Sequence, residues 1–495
     1  MATKQEHEQK LPLSLFVDKE KNRVVFAETN GDFIDILFSF LTLPLGTIIR
    51  LVSKNQQSHY GTTSTNDQPQ EEITIGCKNN LYKSVEDLSD GVFWNSICKR
   101  MLLYPRNPCE SLCQKLKLNV DDSELTKYFI CSACPEGKGM MSTFVGANCS
   151  CGSLMDKEIK LHEDYDEEND SEDGVFVRRE KLYLVFDDLY VLQSSPSKTL
   201  NELQKLGYSD INKLTHMSIN VGLKEILDLL KKALTSKSPL SDVFLGNEES
   251  YQKCTFSPSP SRSIYTTYMY LKVIVRKSEK KVLYAEAGED FVNFLFSFLT
   301  TPIGTILEEL KESNFSLVCM DRIRNAVKVL RMNLSFRDPY CFIRPINHLL
   351  PNPKVASQFG YMSQPLKNLC EEKTPNYRYD NGGVKKDIDV VHPKQKIELF
   401  DPRSLYGTIK SAVGFVKSSK FVVWDNLQVT PLDNNTSSIT FLQNLNIPLD
   451  DLKVHEVEIT DIKAQNLLGA SLSSSQAVLT ETFFPSVKKP KEEAK

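Results

Sequence analysis

The sequence predicts an α+β protein of two homologous lobes produced by internal duplication, each a hairpin-containing sheet with packed helices, and a cysteine-rich insert in the first lobe. Three observations carry this reading: a long internal repeat, a strand-to-helix switch at the head of each copy, and closely spaced cysteines in one copy only.

The repeat is a gapless match at an offset of 258 between Leu13–Arg50 and Leu271–Glu308, with 18 of 38 positions identical. Phe-Ser-Phe-Leu-Thr, Ala-Glu and Pro-x-Gly-Thr recur in register. Further along, YLVFDDLYV from Tyr183 matches FVVWDNLQV from Phe421, LQKL from Leu203 matches LQNL from Leu442, and Leu229-Leu230 match Leu467-Leu468. The first lobe is expected over 11–245, with a cysteine-knuckle insert at 128–156, and the second over 268–486. Between them, 246–267 carries Ser257-Pro258-Ser259-Pro260-Ser261, a composition suited to a linker. The tail, 487–495, is charged.

Each copy opens with alternating apolar and polar residues, breaks at a Lys/Glu/Asn turn and resumes at Val24–Ala27 or Val282–Ala285, which is a β-hairpin signal. Asp32 and Asp290 then precede apolar residues at spacings of three and four, so a helix is expected with the aspartate as N-cap. Thr42–Pro44 should end it and Gly-Thr-Ile-Ile should open the next. Later come a strand ending at Asp187 or Asp425, a helix near Leu200–Leu206, a strand near Met217–Val221 and a helix over Leu223–Leu234. Gln56–Glu71 reads as a surface loop, and the acidic run Glu163–Asp173 as a solvated one.

The insert holds the sharpest chemical signal. Cys131-Ser-Ala-Cys134 is followed, after 14 residues, by Cys149-Ser-Cys151-Gly152. Two thiol knuckles at this separation match a zinc ribbon, in which four thiolates surround one tetrahedral ion, and the glycines between them permit tight turns. With Cys131, Cys134, Cys149 and Cys151 as ligands, no coordination position remains for water, so one structural zinc is expected rather than a hydrolytic one. Reduced metal-free cysteines and a redox pair are the alternatives, and Cys109 and Cys113 are substitute ligands. The second half has no cysteine over Tyr377–Ile397.

Length and charge narrow the partners. The 495 residues suffice for two or more cores, and 60 basic against 64 acidic residues leave a net charge of −4, so no global positive field exists to hold nucleic acid. A polar N-terminus without an apolar signal core points to the cytosol, where thiols stay reduced; the basic tail leaves a nuclear address as a second possibility. The uncharged stretch Phe291–Leu307 is shorter than a membrane span needs, carries Pro302 and Gly304, and reads as buried core helix, with a membrane-associated segment as the alternative.

Nucleotide-binding, hydrolase-elbow and zincin motifs are absent. His216 and His455, at comparable places in the two copies, read as structural. Asp187-Asp188 and Asp425-Asn426 read as turn or cap residues. Glu28 and Glu286, repeated after alanine, are second-rank site candidates.

Val-Phe-Ala-Glu, Leu-Phe-Ser-Phe-Leu-Thr-Leu-Pro-Leu-Gly-Thr, Gly76-Cys77-x-Asn79-Asn80-Leu81-Tyr82-x-Ser84-Val85 and the Cys-Ser-Cys-Gly knuckle before Met155 together resemble the plant family called domain of unknown function 674. The resemblance covers both copies and implies a land-plant protein with no activity or catalytic residue to carry over. The leading expectation is a non-enzymatic, zinc-stabilised interaction protein with an unidentified protein partner. The rival is an enzyme of small-molecule metabolism with its site between the lobes, for which Asp187 and His216 are the first choices.

Overall fold

The computed structural model describes residues 9–60, 76–134, 140–149, 151–162, 174–247, 256, 269–313, 315–332, 350–371, 376–380, 383–387, 396–404, 414–432, 438–474 and 476–485. The first half opens with β1 (Leu11–Asp18), β2 (Arg23–Thr29), α1 (Gly31–Ser39), α2 (Leu45–Tyr60), α3 (Lys78–Asp87), α4 (Ser96–Leu103) and α5 (Glu110–Cys113). The insert follows as β3 (Tyr128–Cys131), β4 (Met140–Ser142), β5 (Ala147–Asn148), β6 (Leu154–Ile159) and β7 (Leu161–His162). The half closes with β8 (Tyr183–Phe186), β9 (Val191–Gln193), α6 (Pro196–Lys205), β10 (Leu214–Val221), α7 (Leu223–Thr235) and α8 (Pro239–Phe244). The second half begins with β11 (Met269–Arg276), β12 (Lys281–Ala287), α9 (Glu289–Thr300), α10 (Ile303–Glu309), α11 (Val318–Met332), β13 (Asn376–Asp380), β14 (Gly383–Asp387) and β15 (Lys396–Leu399). It ends with β16 (Phe421–Trp424), β17 (Val429–Pro431), α12 (Ser438–Leu445), β18 (Leu452–Ile459), α13 (Asp461–Ser473) and α14 (Val478–Phe483).

The fold is α+β with three sheets among the described residues. The first sheet has the order β10-β1-β2-β8-β9 and the second β18-β11-β12-β16-β17, the same path at corresponding positions. Registers agree at the repeat offset: Leu15 opposes Ala27 as Val273 opposes Ala285, and each hairpin shifts register at the same place, between Phe16 and Val17 and between Ile274 and Val275. Alternate residues of β1, Leu11, Leu13, Leu15 and Val17, are buried, as a sheet with one face on a core requires. That core is continuous across both halves of the chain.

α1 and α9 are buried on every side, which an apolar helix tolerates only when packed all round. The uncharged stretch from Phe291 is thus interior, and no helix among the described residues is long and apolar enough to cross a membrane. Their C-terminal ends meet reciprocally. Leu45 N donates to Thr301 O and Ile303 N to Leu43 O, both at 3.0 Å, and Pro44 faces Pro302 in an antiparallel bridge. These pairs interchange under the 258-residue offset, as across a two-fold axis.

The halves also exchange helices. α3 lies against the second sheet, where Asn80 Nδ2 donates to Asn426 O at 2.9 Å and Val429 N to Ser84 Oγ at 2.9 Å. α11 lies against the first, with Arg322 Nε 2.9 Å from Asp188 Oδ2 and Cys319 Sγ donating to Ser236 O at 3.1 Å.

The third sheet is shared. Its order is β5-β6-β3-β4-β15-β13-β14-β7, with parallel β4–β15 and β7–β14 contacts joining the two halves. Since only Lys160 separates β6 from β7, the ladder returns on itself as a small barrel, filled in part by Tyr128, Met141, Ile397 and Leu399.

Three local expectations change. The N-caps are Asn30 and Gly288, not Asp32 and Asp290; Asn30 Oδ1 accepts from Asp32 N at 3.1 Å, leaving Asp32 in the first turn for Arg179 and Lys117. α2 runs on to Tyr60, into the stretch read as a loop from Gln56. His216 and His455 are not equivalent: His216 opposes Phe16 and His455 opposes Val273, whose repeat partner is Leu15, so a one-residue offset puts the rings on opposite faces. The acidic run Glu163–Asp173, the loop beyond Tyr60, the tail from 486 and most of the linker lie outside the described residues.

Candidate metal centre

Each knuckle is placed by the shared barrel. β3 delivers Cys131 at its last position, where the pairing with β6 shifts register between Ile130 and Cys131 and turns the chain toward Cys134. β5 delivers Cys149, whose N–H donates to Ser153 O at 2.8 Å while Gly152 N donates to Cys149 O at 2.9 Å, folding the Cys-x-Cys-Gly segment back on itself. Gly146 and Gly152 have φ of +77° and +88°, the left-handed region that favours glycine, on either side of this turn. Beneath the knuckles Phe129, Ala147 and Met155 form a small apolar cluster with Cys131 and Cys149.

The four sulfur atoms converge. All lie within 4.8 Å of one another; Cys131 Sγ is 3.5 Å from Cys151 Sγ and Cys134 Sγ is 3.6 Å from Cys149 Sγ. A tetrahedral ion with bonds of about 2.3 Å sets its ligands about 3.8 Å apart, whereas a disulfide requires about 2.05 Å, so the spacing is that of a coordination shell. Cys131 and Cys149 are buried, Cys134 half-buried and Cys151 exposed. Backbone and hydroxyl donors of Ser153 draw the Cys151 thiol down to about 6, and hydrogen bonds with Cys151 and Cys149 push the Cys134 thiol up to about 12. Four thiols packed this closely cannot all ionise without a compensating cation, and binding one would release their remaining protons. Sulfur-only donors suit zinc or another thiophilic ion and do not suit calcium or magnesium. Cys109 and Cys113 are not ligands here: both lie in the continuous core, where Cys113 Sγ meets Thr42 Oγ1 at 3.7 Å and Asn107 Nδ2 at 3.6 Å.

The family match fits this layout. A family model described as a protein of unknown function, DUF674, matches residues 7–462. The chain belongs to that family. No curated protein and no solved structure gives a match. The DUF674 match takes in both lobe sheets and the strands of the shared barrel, ending within α13.

The remaining candidates scatter. Asp187 is buried just beyond β8, held by Ser241 and Arg23, while His216 lies exposed on β10 against Phe16, with ring centroids 5.4 Å apart. The two first choices for catalysis therefore do not meet. Asp188 pairs with Arg322 at the rim of a cavity of about 400 Å³ that also takes in Asp187, Tyr190 and Tyr208. Glu286 lines an open cleft of about 1030 Å³ with Lys272, Glu289, Lys420 and Glu456, whereas Glu28 lies opposite Ser14 and Leu184 in the first sheet.

Three buried polar residues escaped the sequence reading. Asp35 accepts the N–H groups of Val175, Phe176 and Val177 at 2.7–2.8 Å, and burial nevertheless raises its carboxyl to about 7. Its repeat counterpart Asn293 takes Phe415 and Val416 N–H at 2.7 and 3.0 Å. A polar residue recurring inside an apolar helix was the available signal. Lys78 is fully buried, with Nζ 3.7 Å from the Phe298 ring centroid and no hydrogen-bond partner among the described residues, and burial drives its pKa well below the usual lysine value. Nothing in the sequence marks it.

Proposed function

We propose that this DUF674 chain is a zinc-stabilised, non-enzymatic interaction protein of the cytosol, in which a structural ion at Cys131, Cys134, Cys149 and Cys151 secures the insert against the rest of the molecule. The observation that carries it is the convergence of four thiols within 4.8 Å, at the end of strands that belong to the shared barrel. With all four tetrahedral positions taken by protein sulfur, the ion has no open site for substrate, so its contribution is to folding. We infer that the two lobes, 11–245 and 268–486, descend from one duplicated unit. The common strand order, the shared hairpin register shift and the interchanging contacts at Pro44 and Pro302 support that descent. The partner is taken to be a protein; a net charge of −4 speaks against nucleic acid.

Elemental analysis of purified protein should give about one zinc per chain, the stoichiometry of a single four-thiolate site. Cys131→Ser should remove it and open the segment near Gly146 to protease, as should a chelator acting on the wild type. Metal-free protein with unchanged protease resistance, from cells grown with ample zinc, would show that these cysteines are ordinary buried thiols.

A further inference from the structure

The accessibility of the four sulfurs is arranged in pairs, and this bears on how the centre is regulated. Cys151 is exposed and lies 3.5 Å from buried Cys131; Cys134 is half-exposed and lies 3.6 Å from buried Cys149. Each pair thus joins a more exposed cysteine to a buried one. Each pair also spans the two knuckles: Cys131 ends β3 and Cys134 follows it, whereas Cys149 and Cys151 follow β5. A bond within either pair would still tie the same two chain segments together, as the ion does.

We propose that this centre is a peroxide-responsive switch, in which a hydroperoxide converts the zinc-thiolate cluster into two disulfides, Cys131–Cys151 and Cys134–Cys149, and expels the ion while the insert stays folded. The proposal rests on the reading of the four thiols as a zinc site. The chemistry begins at Cys151, the exposed sulfur. Its thiolate attacks the peroxide: a sulfur–oxygen bond forms, the oxygen–oxygen bond breaks and hydroxide leaves, giving a sulfenic acid. The Cys131 thiolate then attacks that sulfur, forming the disulfide and releasing a second hydroxide. Two electrons pass from the sulfur pair to one peroxide, and two protons convert the hydroxides to water. A second peroxide oxidises Cys134 and Cys149 in the same way. Zinc changes no oxidation state; having lost its thiolate ligands, it leaves as the divalent ion. Each sulfur pair closes by about 1.5 Å, from the 3.5 and 3.6 Å separations to the about 2.05 Å of a disulfide. A Cβ at Gly146 or Gly152 would meet no described residue within 4 Å, and these turns can take up such a shift.

The geometry distinguishes this from unregulated damage. Were the accessible sulfur isolated, continued oxidation would carry it to the irreversible sulfinic acid; a resolving thiolate at 3.5 Å intercepts the sulfenic acid first. Reduction by a dithiol should then regenerate four thiols and restore zinc binding.

The test loads full-length protein with zinc and titrates hydrogen peroxide. Ion release is followed with a colorimetric chelator, the cross-links by peptide mapping, and the insert by limited proteolysis. The expected result is release of one zinc for about two peroxides, cross-linked peptides joining Cys131 to Cys151 and Cys134 to Cys149, and retained protease resistance, all reversed by dithiothreitol and added zinc. Cys151→Ser should slow release at least about tenfold, because attack must then begin at a less exposed sulfur. Should that variant bind no zinc, competition between peroxide and a bulky alkylating agent on the wild type gives the same information, with Cys151 expected to be labelled first. Protein that cannot be loaded with zinc overturns the metal-site reading itself. Loaded protein that keeps its zinc under peroxide, forms Cys131–Cys134 bonds, or collects sulfinic acid at Cys151 overturns the switch and leaves the structural site standing.

Discussion

Asp187 and Asp425 hold the same clamp in the two lobes. Asp187 accepts the Ser241 N–H at 2.9 Å and its hydroxyl at 2.8 Å; Asp425 accepts the Thr480 N–H at 2.8 Å and its hydroxyl at 2.7 Å. Each hydroxyl oxygen in turn accepts a strand N–H, from Val24 at 2.9 Å or Val282 at 2.8 Å. Asp187, a first choice for the rival catalytic reading, instead ties the short helix α8 to the hairpin strand beside it, as Asp425 ties α14.

The clamp sets a first expectation. Asp187→Ala and Asp425→Ala should each lower stability by about 1–3 kcal/mol, the range for leaving buried donors unmet. A double-mutant cycle with Ser241→Ala should show coupling at Asp187 and none at Asp425. Denaturant titration measures both. Full additivity at Asp187 would mean that the hydroxyl and carboxylate act independently.

Lys78 offers a gain. Replacing it by methionine removes a buried amine that has no hydrogen-bond partner among the described residues and keeps an apolar stem against Phe298, so Lys78→Met should stabilise the protein by about 1–3 kcal/mol. The advantage should depend on pH. Between the unfolded lysine value of about 10.4 and the lowered folded value, the unfolded chain takes up a proton that the folded chain excludes, so wild-type stability from this group falls as pH falls. The gap between variant and wild type should therefore widen from pH 9 to pH 6. A gap that stays constant would place the charged form of Lys78 in the folded protein.

Asp35 carries the opposite proton linkage. Burial raises its folded value to about 7, so between pH about 4 and 7 the unfolded chain ionises while the folded chain keeps its proton. Its contribution is greatest below that window and declines as pH rises through it. Asp35→Asn, the residue type already present at position 293, should remove the decline, and its stability relative to wild type should improve from pH 4.5 to pH 7. Urea midpoints at several pH values decide this.

The contacts of α3 and α11 couple the two halves of the chain. A fragment ending at residue 247 exposes α3 and leaves the first sheet without Cys319 and Arg322, so it should bind hydrophobic dye and melt without a cooperative transition. Co-expression with the remaining half should restore one sharp transition. A sharply melting first-half fragment would show that the exchanged helices contribute little.

Much of this was legible in short-range pattern. The hairpins, α1 and α9 followed from alternation giving way to helical spacing, and the four thiols from their two closely spaced pairs, because such signals depend on neighbours in the chain. Helix caps were missed by two residues, since Asn30, Gly31 and Asp32 offer competing starts and the choice turns on Arg179 and Lys117, far away in sequence. The histidines misled for a related reason: β10 and β18 tolerate residues of many kinds on their exposed positions, so nothing in composition fixed the register to within one residue.

By itself the sequence determined that two stretches 258 residues apart share one pattern, that each begins as a hairpin feeding a buried helix, and that four cysteines lie in two closely spaced pairs. Tertiary structure alone decided that strands of both halves share one sheet, that each half lends a helix to the other, and that Asp187, just beyond β8, and His216, on β10, are separated by β1 and β2. The division has a physical cause: repeats and knuckles are written in local spacing, whereas strand pairing, helix exchange and the burial of Lys78 depend on which distant segment completes the same core.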